Sequence, residues 1–332
     1  MTSGTDFSQR WVNLASSKLG AAAIVCSDDF FAPMNRMLKE EPAVFIEDKY
    51  DDHGKWMDGW ESRRKRTSGN DWCIVKLARA GVIHGIEVET THFTGNYAPA
   101  ASVEACFCDQ EQPSADSRWT EVLGQSALKG DASHSFNVSN TQVFTHVRLN
   151  IYPDGGIARL RIYAEPSVDW EKTGSDELID LAAALNGGVA LACNDQHYGH
   201  IRNLLAPDRG VNMGDGWETR RRREPGNDWV IIALAHPGIV KQIEIDTAHF
   251  KGNYPDRVDI RGALLEDKNA TELAAQSEKW GILLPESKMN PDHIHLFDNT
   301  IVQHGPISHI RMNIYPDGGI SRLRLYSQVD LS

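Results

Sequence analysis

Residues 58–72 read DGWESRRKRTSGNDW, and residues 215–229 read DGWETRRRREPGNDW. The two stretches begin 157 positions apart and are identical at most positions. One sequence unit is therefore present twice. A period this long indicates a duplicated domain, because the units of solenoids and propellers are only about 20 to 50 residues long.

Two further motifs repeat along the chain. HF-x-GNY occupies residues 92–97 and 249–254, again 157 positions apart. RLNIYPDGGI at 148–157 returns as RMNIYPDGGI at 311–320, now 163 positions apart, so the second unit has gained six residues between these motifs. The repeat therefore extends over most of the chain.

The N-terminal part of each unit shows where the copies differ in length. Cys26 and Asp28 match Cys193 and Asp195 at a spacing of 167, which gives the first unit ten extra residues before its DGWE motif, within 43–57. We predict two domains, residues 1–168 and 169–332. A chain of 332 residues accommodates two such units, each large enough to bury a core.

Composition restricts the class of protein. The hydrophobic content is 41% and no apolar run approaches the roughly 20 residues of a membrane helix. The polar N-terminus lacks the apolar stretch of a signal peptide, so a cytoplasmic location is expected. A formal charge of −12 argues against nucleic-acid and membrane partners. The repeated basic runs at 63–66 and 220–223 instead favour a small anionic ligand.

Short segments of alternating polarity predict strands separated by Gly-, Pro- and Asn-rich turns. Helical patterns are few: one covers 178–185, with Asp176 as a candidate cap, and another covers 271–280 in the second unit. The pattern predicts an all-β fold of tandem β-sandwiches with few peripheral helices. The predicted strands are 72–77, 82–90, 102–108, 145–151, 158–163, 229–234 and 239–247.

The repeated motifs supply candidate site residues. Arginine suits a carboxylate because its planar guanidinium donates two parallel hydrogen bonds. Asparagine and aspartate together match a ureido group, which offers N–H donors and a carbonyl acceptor, and histidine transfers protons near neutral pH. Each set also has a structural interpretation, as loop charge, Asx turn, strand-end network or hydrogen-bonded histidine. The candidate acid and base groups are Glu61, Asp71, His92, Glu218, Asp228 and His249; the candidate binding residues are Arg63, Arg64, Asn70, Asn96, Arg148, Asn150, Arg220, Arg221, Asn227, Asn253, Arg311 and Asn313.

Several kinds of chemistry lack a signature. The sequence has no Gly-x-Ser-x-Gly elbow, phosphate loop or dinucleotide fingerprint, and no Cys-x-x-Cys pair or histidine cluster with zinc-ligand spacing. Neither a cofactor nor a metal is expected, and the five cysteines are expected to be reduced and buried. The extra segment 43–57 carries acidic residues and His53, and we interpret it as a lid or a subunit contact.

The order of these motifs and strands resembles the galactose-binding-like jelly roll of discoidin-type modules. Such modules commonly bind small polar ligands in loops at one end of the sandwich. The resemblance implies that the repeated loop residues lie together at that end.

At the repeated motifs DGWE-(S/T)-RR, GNDW, HF-x-GNY and NIYPDGG the sequence also resembles the allantoicase family, over about residues 14–326. The resemblance implies two jelly-roll repeats that hydrolyse allantoate to ureidoglycolate and urea. By hypothesis Arg63 or Arg64 holds the carboxylate, Asn70 and Asn96 read the ureido groups, and Asp71 or Glu61 activates water. His92 would protonate the leaving nitrogen, with the second repeat as another copy. A homo-oligomer is expected.

Two other classes remain open. A tandem carbohydrate-binding module shares the sandwich fold, and glycan binding without urea release would favour it. A metal-dependent amidohydrolase would need a histidine and carboxylate cluster, and its activity would be lost on chelation.

Overall fold

The computed structural model describes residues 7–174, 177–265 and 270–331. Residue contacts divide the chain into two compact units, Met1–Ser167 and Val168–Ser332. Each unit is built mainly of β-strands.

The first repeat contains twelve strands. They are β1 Val12–Asn13, β2 Ala22–Cys26, β3 Tyr50–Asp51, β4 Gly54–Lys55, β5 Trp60–Glu61, β6 Asp71–Glu89, β7 Ala100–Cys106, β8 Thr120–Ala127, β9 Ser133–Asn137, β10 Val143–Tyr152, β11 Gly156–Ile157 and β12 Arg159–Pro166. Short 3₁₀ helices cover Phe7–Gln9, Ser17–Leu19 and Met34–Leu38.

The second repeat follows the same order. Its strands are β13 Ile179–Asp180, β14 Val189–Cys193, β15 Trp217–Glu218, β16 Asp228–Asp246, β17 Arg257–Ala263, β18 Gly281–Lys288, β19 Ile294–Phe297, β20 Ile307–Tyr315, β21 Gly319–Ile320 and β22 Arg322–Val329. The helix α1 spans Ala270–Ser277, and 3₁₀ helices cover Trp170–Lys172, Ala184–Asn186, Ile201–Leu205 and Met213–Asp215.

One long strand organises each repeat. The first part of β6, up to Lys76, pairs with β2 and β10. From Gly81 onward β6 pairs with β12, with the start of β10 at Gly81 and Val82, and from Gly85 with β9. The long strand thus lies at the middle of the sheet order β1-β12-β6-β10-β7-β8 and also pairs with β2 and β9. In the second repeat β16 pairs in the same way with β14, β20, β22 and β19. The predicted all-β tandem jelly-roll fold is confirmed.

The core lies between the layers, where alternate strand residues are buried. Trp60 and Trp217 are fully buried, and each indole N–H donates 2.9 Å to a backbone carbonyl oxygen, that of Asp28 or Asp195. The DGWE motif is thereby attached to the Cys-x-Asp segment in both repeats. This contact explains why two motifs far apart in sequence recur together.

The helix predicted at 178–185 is wrong. Ile179–Asp180 instead form strand β13, and Asp180 Oδ1 accepts hydrogen bonds from the backbone N–H groups of Ala182 and Leu325. Pairing with β22 overrides the local helical pattern, as tertiary contacts often do. The proposed cap Asp176 lies outside the described residues. The helix predicted at 271–280 is confirmed as α1, although it ends at Ser277.

Other expectations need smaller corrections. The strands predicted separately at 72–77 and 82–90 form the single strand β6, and those at 229–234 and 239–247 form β16. The cysteines are free, as expected, but only Cys73 and Cys106 are buried. Within the described ranges no helix is long and apolar enough to cross a membrane.

Candidate functional site

Three repeated motifs meet through backbone hydrogen bonds in the first repeat. The N–H of Ser62 donates to the carbonyl oxygen of Gly155 at 3.2 Å, and that of Asp71 donates to Pro153 at 3.1 Å. The N–H of Gly156 donates to Asn96 at 2.7 Å. The loops that contain DGWE, HFxGNY and YPDGG therefore form one connected end of the sandwich.

The close packing of these loops requires glycine at both positions of the Gly-Gly pair in YPDGG. Gly155 has a φ of 126°, which side-chain-bearing residues rarely adopt. A Cβ atom on Gly156 would lie 2.1 Å from the Phe93 ring. Backbone and ring approach too closely for any larger residue, so the Gly-Gly pair fixes the shape of the loop.

A cleft of about 520 Å³ opens between these loops, within the usual size range of small-molecule sites. Three predicted site residues line it, namely Glu61, Arg64 and Asn96. The full lining comprises Phe31, Glu61, Ser62, Arg64, Lys65, Gly95, Asn96, Tyr97, Pro99, Pro153, Asp154 and Gly155.

Glu61 and Asp154 are the two carboxylates among the residues that line the cleft. Burial raises the pKa of Glu61, and a hydrogen bond of 2.8 Å from Asn96 Nδ2 to Glu61 Oε1 only partly opposes this effect. No cation among the described residues pairs with Glu61. A partly desolvated carboxylate without a counter-ion is suited to accept a proton.

The two neighbouring arginines have different surroundings. Arg63 forms an ion pair with Asp28, with 2.6 Å between its Nη2 and Oδ2, and lies over the Phe30 ring. Arg64 is exposed, lines the cleft and has no hydrogen-bond or ion-pair partner in the described part of the chain. Arg64 is therefore the guanidinium that is available to an anionic ligand.

Asp71 and Asn70 lie behind the cleft. Asp71 is 2% exposed and accepts hydrogen bonds from Lys65 Nζ at 2.7 Å and from Ser27 Oγ at 2.9 Å. Asn70 Nδ2 donates to the carbonyl oxygen of Asp71 and towards Asn150 Oδ1. The structure thus places Asp71 in a buried ion pair that holds Lys65 at the cleft wall.

Both candidate histidines lie in turns, where the backbone N–H and the ring of each form hydrogen bonds. His92 and His249 have φ values of 68° and 71°, and their N–H groups donate to Asp131 and Asp292. His92 Nε2 is 3.1 Å from the carbonyl oxygen of Ala43, and His249 Nε2 is 3.2 Å from that of Gly210. His92 is not among the residues that line the cleft.

Arg148 and Asn150 belong to a network on the sheet. Arg148 Nη2 donates to Glu104 Oε2 at 2.6 Å and lies over the Trp119 ring. Asn150 Nδ2 donates to the same carboxylate at 3.0 Å. The two residues are thus joined through Glu104, and neither is among the residues that line the cleft.

The second repeat reproduces much of this arrangement. Asn253 Nδ2 donates to Glu218 Oε1, and Arg220 Nε lies 3.3 Å from Asp195 Oδ2. Arg221 is exposed and unpaired among the described residues, as Arg64 is. The carboxylate, amide and free guanidinium therefore recur.

Behind these residues the second repeat differs in detail. Asp228 is 2% exposed, and burial raises its pKa, with hydrogen bonding and the nearby Arg222 offsetting this only in part. Asn227 Nδ2 donates to Asn313 Oδ1 at 3.2 Å, and Arg311 Nε donates to the same oxygen at 2.8 Å. Asn227, Arg311 and Asn313 thus form the second strand-end network.

Sequence reasoning did not single out several cleft residues. Lys65, Ser62, Tyr97 and Asp154 line the cleft, and Asp154 Oδ2 accepts the backbone N–H of Lys65 at 2.7 Å. Each recurs in the second repeat in identical or similar form, and this repetition is the signal that identifies them. Phe31 also lines the cleft and matches Tyr198 of the second repeat, so an aromatic residue recurs there as well.

The extra segment of the first repeat contains the β3–β4 hairpin. His53 stacks on Phe30 with ring centroids 4.4 Å apart, and Lys49 lies over the Trp56 ring. Ala43 accepts the His92 ring hydrogen bond, so the segment is attached beside the HFxGNY turn. Among described residues no three His, Cys, Asp or Glu side chains are grouped to hold a metal ion.

Comparison with known proteins identifies related chains. The allantoicase repeat family model matches residues 12–167 and 179–330. "Probable allantoicase 1" of Burkholderia mallei is 54% identical over 98% of this chain and 96% of its own length. "Probable allantoicase" of Ralstonia nicotianae is 53% identical over 98% of this chain and 97% of its own length.

A solved structure agrees with the sequence matches. The crystal structure of allantoicase from Saccharomyces cerevisiae superposes with a TM-score of 0.80 at 36% identity, covering 95% of this chain and 92% of the yeast chain. Both repeats and nearly the full length are therefore shared with these relatives. This chain belongs to the allantoicase family.

Proposed function

We propose that the cleft of the first repeat is the site at which this allantoicase hydrolyses allantoate to ureidoglycolate and urea, with Glu61 as general base. The observation that carries the proposal is that a proton-accepting carboxylate and, within the described residues, an unpaired guanidinium line the same cleft. Burial raises the pKa of Glu61, and in the described part of the chain Glu61 has no counter-ion and Arg64 has no hydrogen-bond or ion-pair partner.

The ligand's groups match the cleft. Allantoate bears one carboxylate and two ureido groups on one carbon. Arg64 is suited to bind the carboxylate through two parallel hydrogen bonds. Asn96 uses its amide nitrogen to hold Glu61, which leaves its amide oxygen to accept a ureido N–H.

The reaction then needs one proton to move twice. Glu61 accepts a proton from water as the water oxygen attacks the central carbon. The bond from that carbon to one ureido nitrogen breaks, and the protonated Glu61 returns the proton to the departing nitrogen, which leaves as urea. A carboxyl group whose pKa is raised is suited to both transfers.

The remaining candidates have narrower roles in this proposal. Asp71 holds Lys65 at the cleft wall rather than activating water, since it is buried in an ion pair. His92 shapes the turn that presents Asn96. A homo-oligomeric, cytoplasmic enzyme without cofactor, nucleic-acid or membrane partner stays a prediction.

The activity is tested by supplying allantoate to the purified chain and measuring urea and ureidoglycolate, with and without chelator. Equimolar products that do not depend on the chelator support the proposal. Ammonia in place of urea would indicate amidohydrolase chemistry, and no turnover would favour a binding module.

Arg64→Lys is expected to raise KM for allantoate about tenfold or more, because an ammonium cannot replace a bidentate guanidinium contact. Initial rates over a range of allantoate concentrations measure the effect. Arg63→Lys is the matched control, since Arg63 is paired with Asp28. An equal rise in KM for both variants, or none for Arg64→Lys, would argue against this assignment.

Asn96→Ala is expected to move the acidic limb of the kcat/KM profile to higher pH. The hydrogen bond from Asn96 stabilises charged Glu61, so its loss raises the pKa of Glu61 further, and the base is protonated up to a higher pH. Asn70→Ala serves as the control because Asn70 contacts Asp71 and Asn150 instead. A limb that shifts to lower pH would be inconsistent with Glu61 as the base.

A further inference from the structure

Two cysteines of the first repeat face each other across neighbouring strands. Cys26 on β2 and Cys73 on β6 are register partners. In the next pair, the N–H of Ser27 donates to the carbonyl oxygen of Trp72 at 2.9 Å. Hydrogen-bonded and non-hydrogen-bonded pairs alternate in an antiparallel ladder, so the two cysteines form a non-hydrogen-bonded pair. Such partners have Cα atoms about 4.5 Å apart and side chains on the same face, which makes the two thiols neighbours.

A third sulfur atom lies against this pair. Met34, at the start of the 3₁₀ helix Met34–Leu38, places its Sδ 3.8 Å from Cys73 Sγ. Around a tetrahedral ion with metal–sulfur bonds of about 2.3 Å, neighbouring sulfur atoms lie about 3.8 Å apart. The thiol of Cys73 and the thioether of Met34 therefore already have the spacing of two ligands of one ion.

The charge around the sulfur atoms favours a cation. Burial, followed by the nearby carboxylate of Asp29, raises the pKa of the Cys26 thiol to about 11. Burial also raises the pKa of Cys73 well above its usual value, and Asp29 contributes there too. Both thiols are therefore protonated at neutral pH. A cation that replaced their protons would offset the charge of the two thiolates and of Asp29.

The second repeat shows that the fold does not require these sulfur atoms. Cys193 matches Cys26, but its register partner is Val230. Ile201 occupies the position of Met34. Apolar side chains thus fill the same places in an equivalent sandwich, so packing alone does not explain three sulfur atoms in the first repeat.

We propose that Cys26, Cys73 and Met34 form a binding site for a soft metal ion of the copper(I) class. Thiolate and thioether sulfur atoms select Cu(I), whereas Mg²⁺ and Mn²⁺ prefer oxygen ligands. Binding releases the two thiol protons to solvent and changes no oxidation state. Cys26 is half-buried, which gives the ion a path from the surface, and Cys73 has no exposed surface. None of the three residues is among those that line the cleft.

Anaerobic titration of the reduced full chain with Cu(I), in competition with the chelator bicinchoninate, tests this inference. The unmodified chain is expected to retain one Cu(I) per chain, measured as bound copper after removal of the chelator. Cys26→Ser is expected to lose this copper. Met34→Ile, which introduces the side chain of the second repeat, is expected to bind Cu(I) roughly 10- to 100-fold more weakly, the loss typical when a supporting group of a metal site is removed.

The other cysteines supply matched controls. Cys193→Ser removes the corresponding thiol of the second repeat. Cys108→Ser removes a thiol close to Cys106, which is the other place where two cysteines lie near each other. Both variants are expected to retain one Cu(I) per chain. Melting curves recorded without metal show whether each variant is folded, and if Cys26→Ser is not, Met34→Ile decides the result.

Three outcomes would overturn the inference. The unmodified chain could yield all its Cu(I) to the chelator. Copper could be retained by Cys26→Ser and lost by Cys108→Ser or Cys193→Ser, which would place it elsewhere. Equal affinity of Met34→Ile and the unmodified chain would show that the three sulfur atoms do not act as one site.

Discussion

Replacing Glu61 by glutamine is expected to lower kcat for urea release by roughly 10² to 10⁴-fold, the usual contribution of a general base. The amide keeps the shape of the side chain and its place beside Asn96 but cannot accept a proton from water. Glu61 is partly buried, so a base from the bulk solvent is not expected to take its place. KM is expected to change much less, since Arg64 is the proposed partner of the substrate carboxylate.

The size of the loss in kcat also shows how much of the catalysis belongs to the first repeat. Beneath the cleft of the first repeat lies an apolar cluster that includes Ala32, Met57 and Ala158. The matching positions in the second repeat are Gly199, Gly214 and Ser321, which provide less apolar surface. We expect catalysis in the first repeat, where burial raises the pKa of Glu61.

Steady-state assays of Glu61→Gln beside Glu121→Gln, an exposed glutamate on β8, measure this effect. The Glu121 variant is expected to match the unmodified chain. Retention of half the rate or more by Glu61→Gln would show either equal catalysis by both repeats or a different base.

Asp58→Asn is expected to lower the free energy of unfolding by about 3 to 5 kcal/mol, the usual effect of removing one member of a buried ion pair. Asp58 is 4% exposed, and its two oxygens accept hydrogen bonds from Lys39 Nζ at 2.6 Å and Arg159 Nη2 at 2.7 Å. Arg159 has no exposed surface. An asparagine would leave its buried guanidinium without a counter-charge.

The second repeat provides the control for this effect. Arg322 corresponds to Arg159 but lies near two carboxylates, 3.1 Å from Asp208 and 3.2 Å from Asp215. Asp215→Asn therefore leaves Arg322 with a counter-charge and should cost less. Chemical denaturation of both variants measures the difference. A loss for Asp58→Asn no larger than that for Asp215→Asn would contradict the account.

The fold was largely predictable because the duplication marks equivalent elements and the strands alternate in polarity. The sequence did not reveal that β6 runs unbroken through Ala78-Arg79-Ala80-Gly81. That continuity depends on strands distant in sequence, since β10 pairs with β6 on both sides of this segment and β12 joins it from Gly81, and local patterns do not record such pairing. The false helix at 178–185 has the same cause, since β22 selects a strand there.

The candidate site was only partly predictable. Repetition identified the loops, yet it could not distinguish Arg63 from Arg64, because both recur. Only the placement of Asp28 shows which arginine is already paired. In the same way Glu61 and Asp71 are both repeated carboxylates, and the contact of Lys65 with Asp71 separates them. Ion pairs between residues far apart in sequence decide which charged side chains are free to contact a ligand. The spacing of residues in the sequence does not reveal these pairs.

A crystal structure of Glu61→Gln with allantoate tests the central claim most directly. We expect allantoate in the cleft of the first repeat, with its carboxylate on the Arg64 guanidinium and its central carbon facing residue 61. Allantoate bound only at a distance from residue 61, with that cleft empty, would contradict it.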